Sequence, residues 1–267
     1  MIITKDLHEL PKQHVRFIDT RFDLQNPTWG EQAYQQDHVQ GAIYWHLEDH
    51  LSDMSRSEGR HPVPSKQRMT KLIQASGLTY EDELVIYDQG NAPFAARAAV
   101  LLLWAGFTNV SIAREGYGRL REVFPLEGGT AWYPSTNQTL QFHDGLLADQ
   151  QDVKNHIAQK GMLIDARSTD RYRGVTEPID AIAGHIPTAA NIDWEQLKSD
   201  RGLLKGTEAE ALFGHLPEEK EIMTYCGSGV TASPLTIALL ESGRENVRLY
   251  AGSYSDWIQT NEIETSK

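Results

Sequence analysis

Short runs of branched and aromatic residues alternate along this chain with longer segments of apolar pattern. Leu84–Tyr87 precedes Phe94–Trp104, and Ile222–Tyr225 precedes Pro234–Leu240. The short runs suit strands buried on both faces, and the longer ones read as amphipathic helices. Their alternation predicts parallel strands joined by helical crossovers, and so an α/β domain in each half of the chain. The longest apolar stretch, Ala98–Ala105, is less than half of what a bilayer span requires, and no membrane association is expected.

The pattern also repeats. Phe17-Ile-Asp-Thr-Arg21 resembles Leu163-Ile-Asp-Ala-Arg167, and His38-Val-Gln-Gly-Ala42 resembles His185-Ile-Pro-Thr-Ala189. Leu84–Asp88 corresponds to Glu221–Cys226, and Ala105–Val110 to Ser242–Val247. Four landmarks in the same order indicate a duplicated chain. The expected division is a first domain over residues 1–126, a linker over 127–146 and a second domain over 147–267. Phe124–Asn137, at the junction, is rich in Pro, Gly and hydroxyl residues, as linkers are.

Composition narrows the function. A length of 267 residues accommodates two domains, and a net charge of −12 argues against nucleic-acid or anionic-membrane partners. Met1–Leu10 lacks a basic stretch followed by an apolar core, so no signal peptide is expected. A single cysteine, Cys226, allows no internal disulfide and fits a reducing, cytoplasmic setting. His46 and His50 have a zinc-binding spacing, but no third ligand accompanies them and no metal site is expected.

Chemistry concentrates in Thr224-Tyr-Cys-Gly-Ser-Gly-Val-Thr-Ala-Ser233. A strand ends at Tyr225, glycines bracket Ser228, and a helix starts between Thr231 and Pro234, where proline's missing N–H costs little. Ligand sites in α/β sheets lie at the carboxyl ends of strands, where Cys226 falls. Gly227 and Gly229 allow successive N–H groups to turn toward an anion, which favours thiolate over thiol. A buried, inert cysteine is the plain alternative. A phosphatase is the sharper one, but it needs an arginine six positions after the cysteine, and Ala232 stands there.

Cys226-Gly-Ser-Gly-Val-Thr-Ala232 resembles the active-site loop of the thiosulfate/mercaptopyruvate sulfurtransferases. Asp165-Ala-Arg167, Arg171-Tyr-Arg-Gly174, Thr176-Glu-Pro178, Gly184-His-Ile-Pro187 and Leu249–Trp257 are similar to other segments of their catalytic domain. The resemblance spans nearly the whole chain. It implies two tandem rhodanese-like domains, each a parallel sheet flanked by helices, of which only the second carries a cysteine. Asp88 stands at the matching position of the first.

By that resemblance, Cys226 takes a sulfane sulfur as a persulfide held by the N–H groups of Gly227, Ser228, Gly229, Val230 and Thr231. It then passes the sulfur to cyanide or a thiol, with no metal or organic cofactor. Gly227-Ser228, in place of basic residues, resembles the members that use mercaptopyruvate. Those members set an Asp and a His beside the loop serine, matched here by Asp49 and His61 in a relay with Ser228. Arg171 matches an arginine that binds the carboxylate of a small anionic donor. A second family arginine would fall near Ile179, and Arg173 is the candidate to replace it. With no second cysteine, an external thiol such as thioredoxin is the expected acceptor. The alternatives are a thiosulfate:cyanide sulfurtransferase and a non-catalytic persulfide carrier or redox sensor.

Overall fold

The computed structural model describes residues 3–11, 13–217 and 220–266, so the two ends of the chain, Met1-Ile2 and Lys267, lie outside the described residues. Two five-stranded parallel sheets account for both halves. The first runs Ile43–Tyr44, Val15–Asp19, Glu83–Tyr87, Val110–Ala113, Thr4–Lys5 across its width. The second runs Ala190–Asn191, Met162–Asp165, Ile222–Tyr225, Val247–Tyr250, Leu147–Ala148. The orders correspond strand for strand. In the registers, Tyr87 stands opposite Asp19 as Tyr225 stands opposite Asp165. Each sheet is flanked by helices, the arrangement that the alternating pattern predicts.

The helix after the central strand of each sheet departs from the amphipathic reading. All eleven residues of Phe94–Trp104 are buried, and the Ala232–Glu241 helix is buried at every position but Leu240. A helix apolar on all sides must be covered on all sides. These two are, because each packs on its own sheet and then on the other. One hydrophobic cluster therefore runs through both halves, from Ile18 and Leu101 to Leu235 and Leu249. The site that follows lies where the halves meet.

The segment between the halves is irregular but tied down. Tyr133 donates its hydroxyl to the Gly41 carbonyl at 2.8 Å and lies under the Arg16 guanidinium. Thr136 donates to the Leu78 carbonyl at 2.9 Å. These bonds hold the connection against the first half.

Candidate active site

Cys226 follows the central strand of the second sheet and is 1% exposed. Its own backbone is fixed from the segment that opens the last helix. The Cys226 N–H donates to Ser253 Oγ at 3.1 Å, the Tyr254 N–H donates to the Cys226 carbonyl at 3.0 Å, and the Ser255 N–H to the Gly227 carbonyl at 3.0 Å. Ser253 reaches the first of these positions from a left-handed backbone, φ 57°. Such strain in a non-glycine residue persists only where its surroundings hold it.

The glycines of the loop are required by close approach. Gly229 has φ 74°, and a methyl group on it would lie 2.5 Å from the Ala251 carbonyl oxygen. That conformation turns the Gly229 N–H onto Cys226 Sγ at 3.1 Å. A methyl group on Gly227 would lie 2.5 Å from Arg60 Nη2 and 3.5 Å from Arg171 Nη2. Two guanidinium groups thus flank the residue after the cysteine, one from each half of the chain.

Of the residues expected at the site, Ser228 and His61 come together: Ser228 Oγ lies 2.9 Å from His61 Nδ1, both side chains being buried. Burial, reinforced by the Arg97 and Arg60 charges, pushes the imidazole down to about 4, so the ring is neutral at pH 7. Asp49 does not join them. Its side chain is 77% exposed and faces His46 Nδ1 at 3.4 Å. The same ring nitrogen caps the backbone N–H groups of Glu48 and Asp49, and His50 Nδ1 accepts from the His46 N–H. That short turn sets Asp49 outward and gives both histidines a structural use.

Arg171 lies beside the cysteine loop, paired with Glu177 at 2.8 Å and Asp180 at 3.0 Å. Arg173 does not reach the loop: it is exposed and donates to the Ser266 carbonyl at 3.0 Å. The place beside Arg171 is taken by Arg60, which pairs with Asp180 and whose N–H donates to Ser255 Oγ at 3.0 Å. Sequence reasoning missed Arg60, although it immediately precedes His61. It also missed Arg97, the one charge inside the otherwise apolar Phe94–Trp104 helix, now found beneath the cysteine loop. Its Nη1 lies 3.4 Å from the Gly229 carbonyl oxygen.

Arg21 and Arg167 are local clamps, each on the aspartate two residues before it. In the first half, Asp88 occupies the position of Cys226. Its carboxylate is buried and accepts the N–H groups of Gly90 at 2.8 Å and Ala95 at 3.0 Å.

Comparison with known proteins agrees with this architecture. The rhodanese-like domain family matches residues 4–122 and 149–260. A probable 3-mercaptopyruvate sulfurtransferase of Pseudomonas aeruginosa is 37% identical, over 90% of this chain and 88% of its own. SseB of Mycobacterium tuberculosis, provisionally named a thiosulfate sulfurtransferase, is 35% identical over 91% of this chain and 87% of its own. Among solved structures, SseA of Escherichia coli, a 3-mercaptopyruvate sulfotransferase, superposes with a TM-score of 0.78 at 28% identity, covering 91% of this chain and 94% of that one. With a duplicated fold and a lone cysteine at the end of the second central strand, the chain belongs to the rhodanese family, as a sulfurtransferase of two tandem domains.

Proposed function

We propose that the protein takes sulfur from 3-mercaptopyruvate, carries it as a persulfide on Cys226 and hands it to a thiol. In the first step the Cys226 thiolate attacks the donor sulfur. The carbon–sulfur bond breaks, its electron pair passes to the pyruvate enolate, and the donor's thiol proton ends on the methyl carbon of pyruvate. The products are pyruvate and a Cys226 persulfide anion, so charge and protons balance. In the second step an acceptor thiolate attacks the outer sulfur and Cys226 leaves as thiolate. Two covalent steps replace one difficult transfer.

The observation that carries this reading is the neutral Ser228–His61 pair beside the cysteine, at 2.9 Å. An enolate leaving group needs a proton, and a neutral imidazole hydrogen-bonded to a serine is able to relay one. Asp49 has no contact in this relay. Arg171 and Arg60 are placed to hold the donor carboxylate, exchanging Glu177 and Asp180 for it. The same two guanidinium groups favour a second reading, thiosulfate as donor, because they match a dianion.

The acceptor is proposed to be an external thiol, thioredoxin being the expected protein, since Cys226 is the only cysteine. No helix among the described residues is long and apolar enough to cross a membrane. A reducing, cytoplasmic location suits a free thiol of this kind.

The test is steady-state transfer to cyanide from each donor in parallel. A higher kcat/KM with mercaptopyruvate is expected. Higher efficiency with thiosulfate would keep the fold and Cys226 but remove the proton-relay role of Ser228 and His61.

A further inference from the structure

Arg97 is fully buried, 0% exposed, in a helix whose ten other residues carry no charge. Its hydrogen bonds go to three carbonyl oxygens, those of His61 at 3.0 Å, Leu51 at 3.3 Å and Gly229 at 3.4 Å. Its Nε has no partner. Among the described residues no carboxylate lies within ion-pair distance of it. A buried guanidinium with only neutral acceptors is costly, and such groups are retained where a counter-charge completes them.

We propose that Arg97, supplied by the half of the chain that lacks a nucleophile, is the positioning residue that holds negative charge on Cys226. The connection is short: Arg97 Nη1 points at the Gly229 carbonyl, and the N–H of the same residue points at Cys226 Sγ at 3.1 Å. The other charged groups around the cysteine are already matched. Arg60 and Arg171, on the mouth side, are paired with Asp180 and Glu177. His61 is neutral, and the hydroxyls of Ser228 and Ser253 are uncharged. Among the described residues around the cysteine, Arg97 is the cation left without a carboxylate partner. Burial pushes its guanidinium down to about 10, opposed by the charge on Cys226, and it stays protonated at pH 7.

The role suits both stages of the reaction. Thiolate and persulfide are each monoanions, so one fixed guanidinium serves the empty and the sulfur-loaded enzyme without rearranging. It also joins the loop to the first half, because the same side chain holds the carbonyl oxygens of Leu51 and His61. This inference rests on Cys226 being the sulfur carrier but not on the identity of the donor.

The experiment uses full-length protein with Arg97→Met and Arg97→Lys. The rate of Cys226 alkylation by iodoacetamide is followed against pH, together with the melting temperature. Arg97→Met should move the midpoint of the alkylation profile upward by about one pH unit and slow alkylation near neutral pH by roughly tenfold. Arg97→Lys should recover most of that shift. A folded Arg97→Met protein with an unmoved midpoint overturns the proposal, even if its melting temperature falls, because a purely structural role changes only the latter. Alkylation needs no sulfur donor, so the outcome is separate from the mercaptopyruvate assignment.

Arg97→Gln covers the case in which Arg97→Met does not fold, because its amide can keep a hydrogen bond to the neighbouring carbonyl oxygens without the charge. It should slow alkylation near neutral pH by roughly tenfold, as Arg97→Met does. A folded Arg97→Gln protein that is alkylated at the wild-type rate overturns the proposal as well.

Discussion

The loops that follow equivalent strands, Asp88–Pro93 and Cys226–Thr231, share one backbone frame and differ in what fills it. The Tyr117 N–H donates to the Asp88 carbonyl at 2.8 Å, as the Tyr254 N–H does to Cys226 at 3.0 Å. Arg21 lies over the Tyr117 ring at 3.8 Å, and Arg167 over Tyr254 at 3.9 Å. In the first loop the inward N–H groups close on a carboxylate belonging to the loop itself. In the second, an N–H meets a sulfur that can gain and lose a partner. An anion cradle with a permanent occupant is a structural plug, and the same cradle around a nucleophile is a site. The difference is one side chain and its neighbours: Arg60, Arg171, His61 and Arg97 all converge on the second loop.

Exchanging the side chains tests this comparison most severely. Cys226→Ser should lose at least about a thousandfold in transfer rate, since no other thiol is present. Asp88→Cys in the Cys226→Ser background should restore none of it, and intact-mass measurement after donor treatment should find no persulfide. Appearance of activity there would show that the frame alone suffices.

Next in size are the mouth arginines. Arg171→Ala and Arg60→Ala should each raise the donor KM by about 10- to 100-fold, the worth of a charge-assisted hydrogen bond to a carboxylate. Arg173→Ala should stay within roughly twofold of wild type, as expected of an exposed residue away from the loop. A large effect at Arg173 with none at Arg60 would reverse the placement described above.

A smaller effect separates the relay from its sequence-expected third member. Ser228→Ala should lower kcat with mercaptopyruvate by about 10- to 100-fold. Asp49→Asn should change it by less than about twofold, because the carboxylate is exposed and has no contact with His61. An equal loss in both variants would mean that Asp49 reaches the ring during turnover.

The smallest effects lie in the pH dependence of stability, where two buried groups of the first half, His61 and Asp88, oppose each other. His61 titrates at about 4 when folded and near 6.5 when unfolded. The unfolded chain therefore binds more protons between those values, and stability is lost as pH falls through them. Burial raises Asp88 to about 6 against the pull of its N–H donors, from an ordinary 3.8. Its contribution is present at low pH and is lost as pH rises to about 6. Melting temperatures between about pH 4 and 6.5 should accordingly fall more steeply with acid in Asp88→Asn, and less steeply in His61→Gln, than in wild type. Parallel curves for all three proteins would contradict this.

The fold was legible because its signals are local and doubled: strand–helix alternation and the paired Asp-x-Arg and His landmarks each occur twice. The Cys226 loop was legible for the same reason, as its nucleophile, glycines and helix start lie within ten residues. What could not be read comes from across the domain contact. Arg60 and Arg97 reach the loop from the first half, and nothing in their spacing to Cys226 encodes that. Asp49 was misplaced because the backbone after Ser52 turns. The Asp53 N–H closes on the Pro62 carbonyl at 2.9 Å, bringing His61 inward while Asp49 stays on the earlier turn. Arg97 had one usable signal, a lone charge in an apolar run.

The all-round burial of the two central helices has a consequence for how the chain assembles. Equivalent helices packed against each other across the middle of a duplicated molecule are what a symmetric pair of identical subunits would bury between them. Either half alone would leave such a helix uncovered. Joined in one chain, the halves cover each other without an association step, and they divide the work: the second carries the thiol, and the first lends the surface and the arginines.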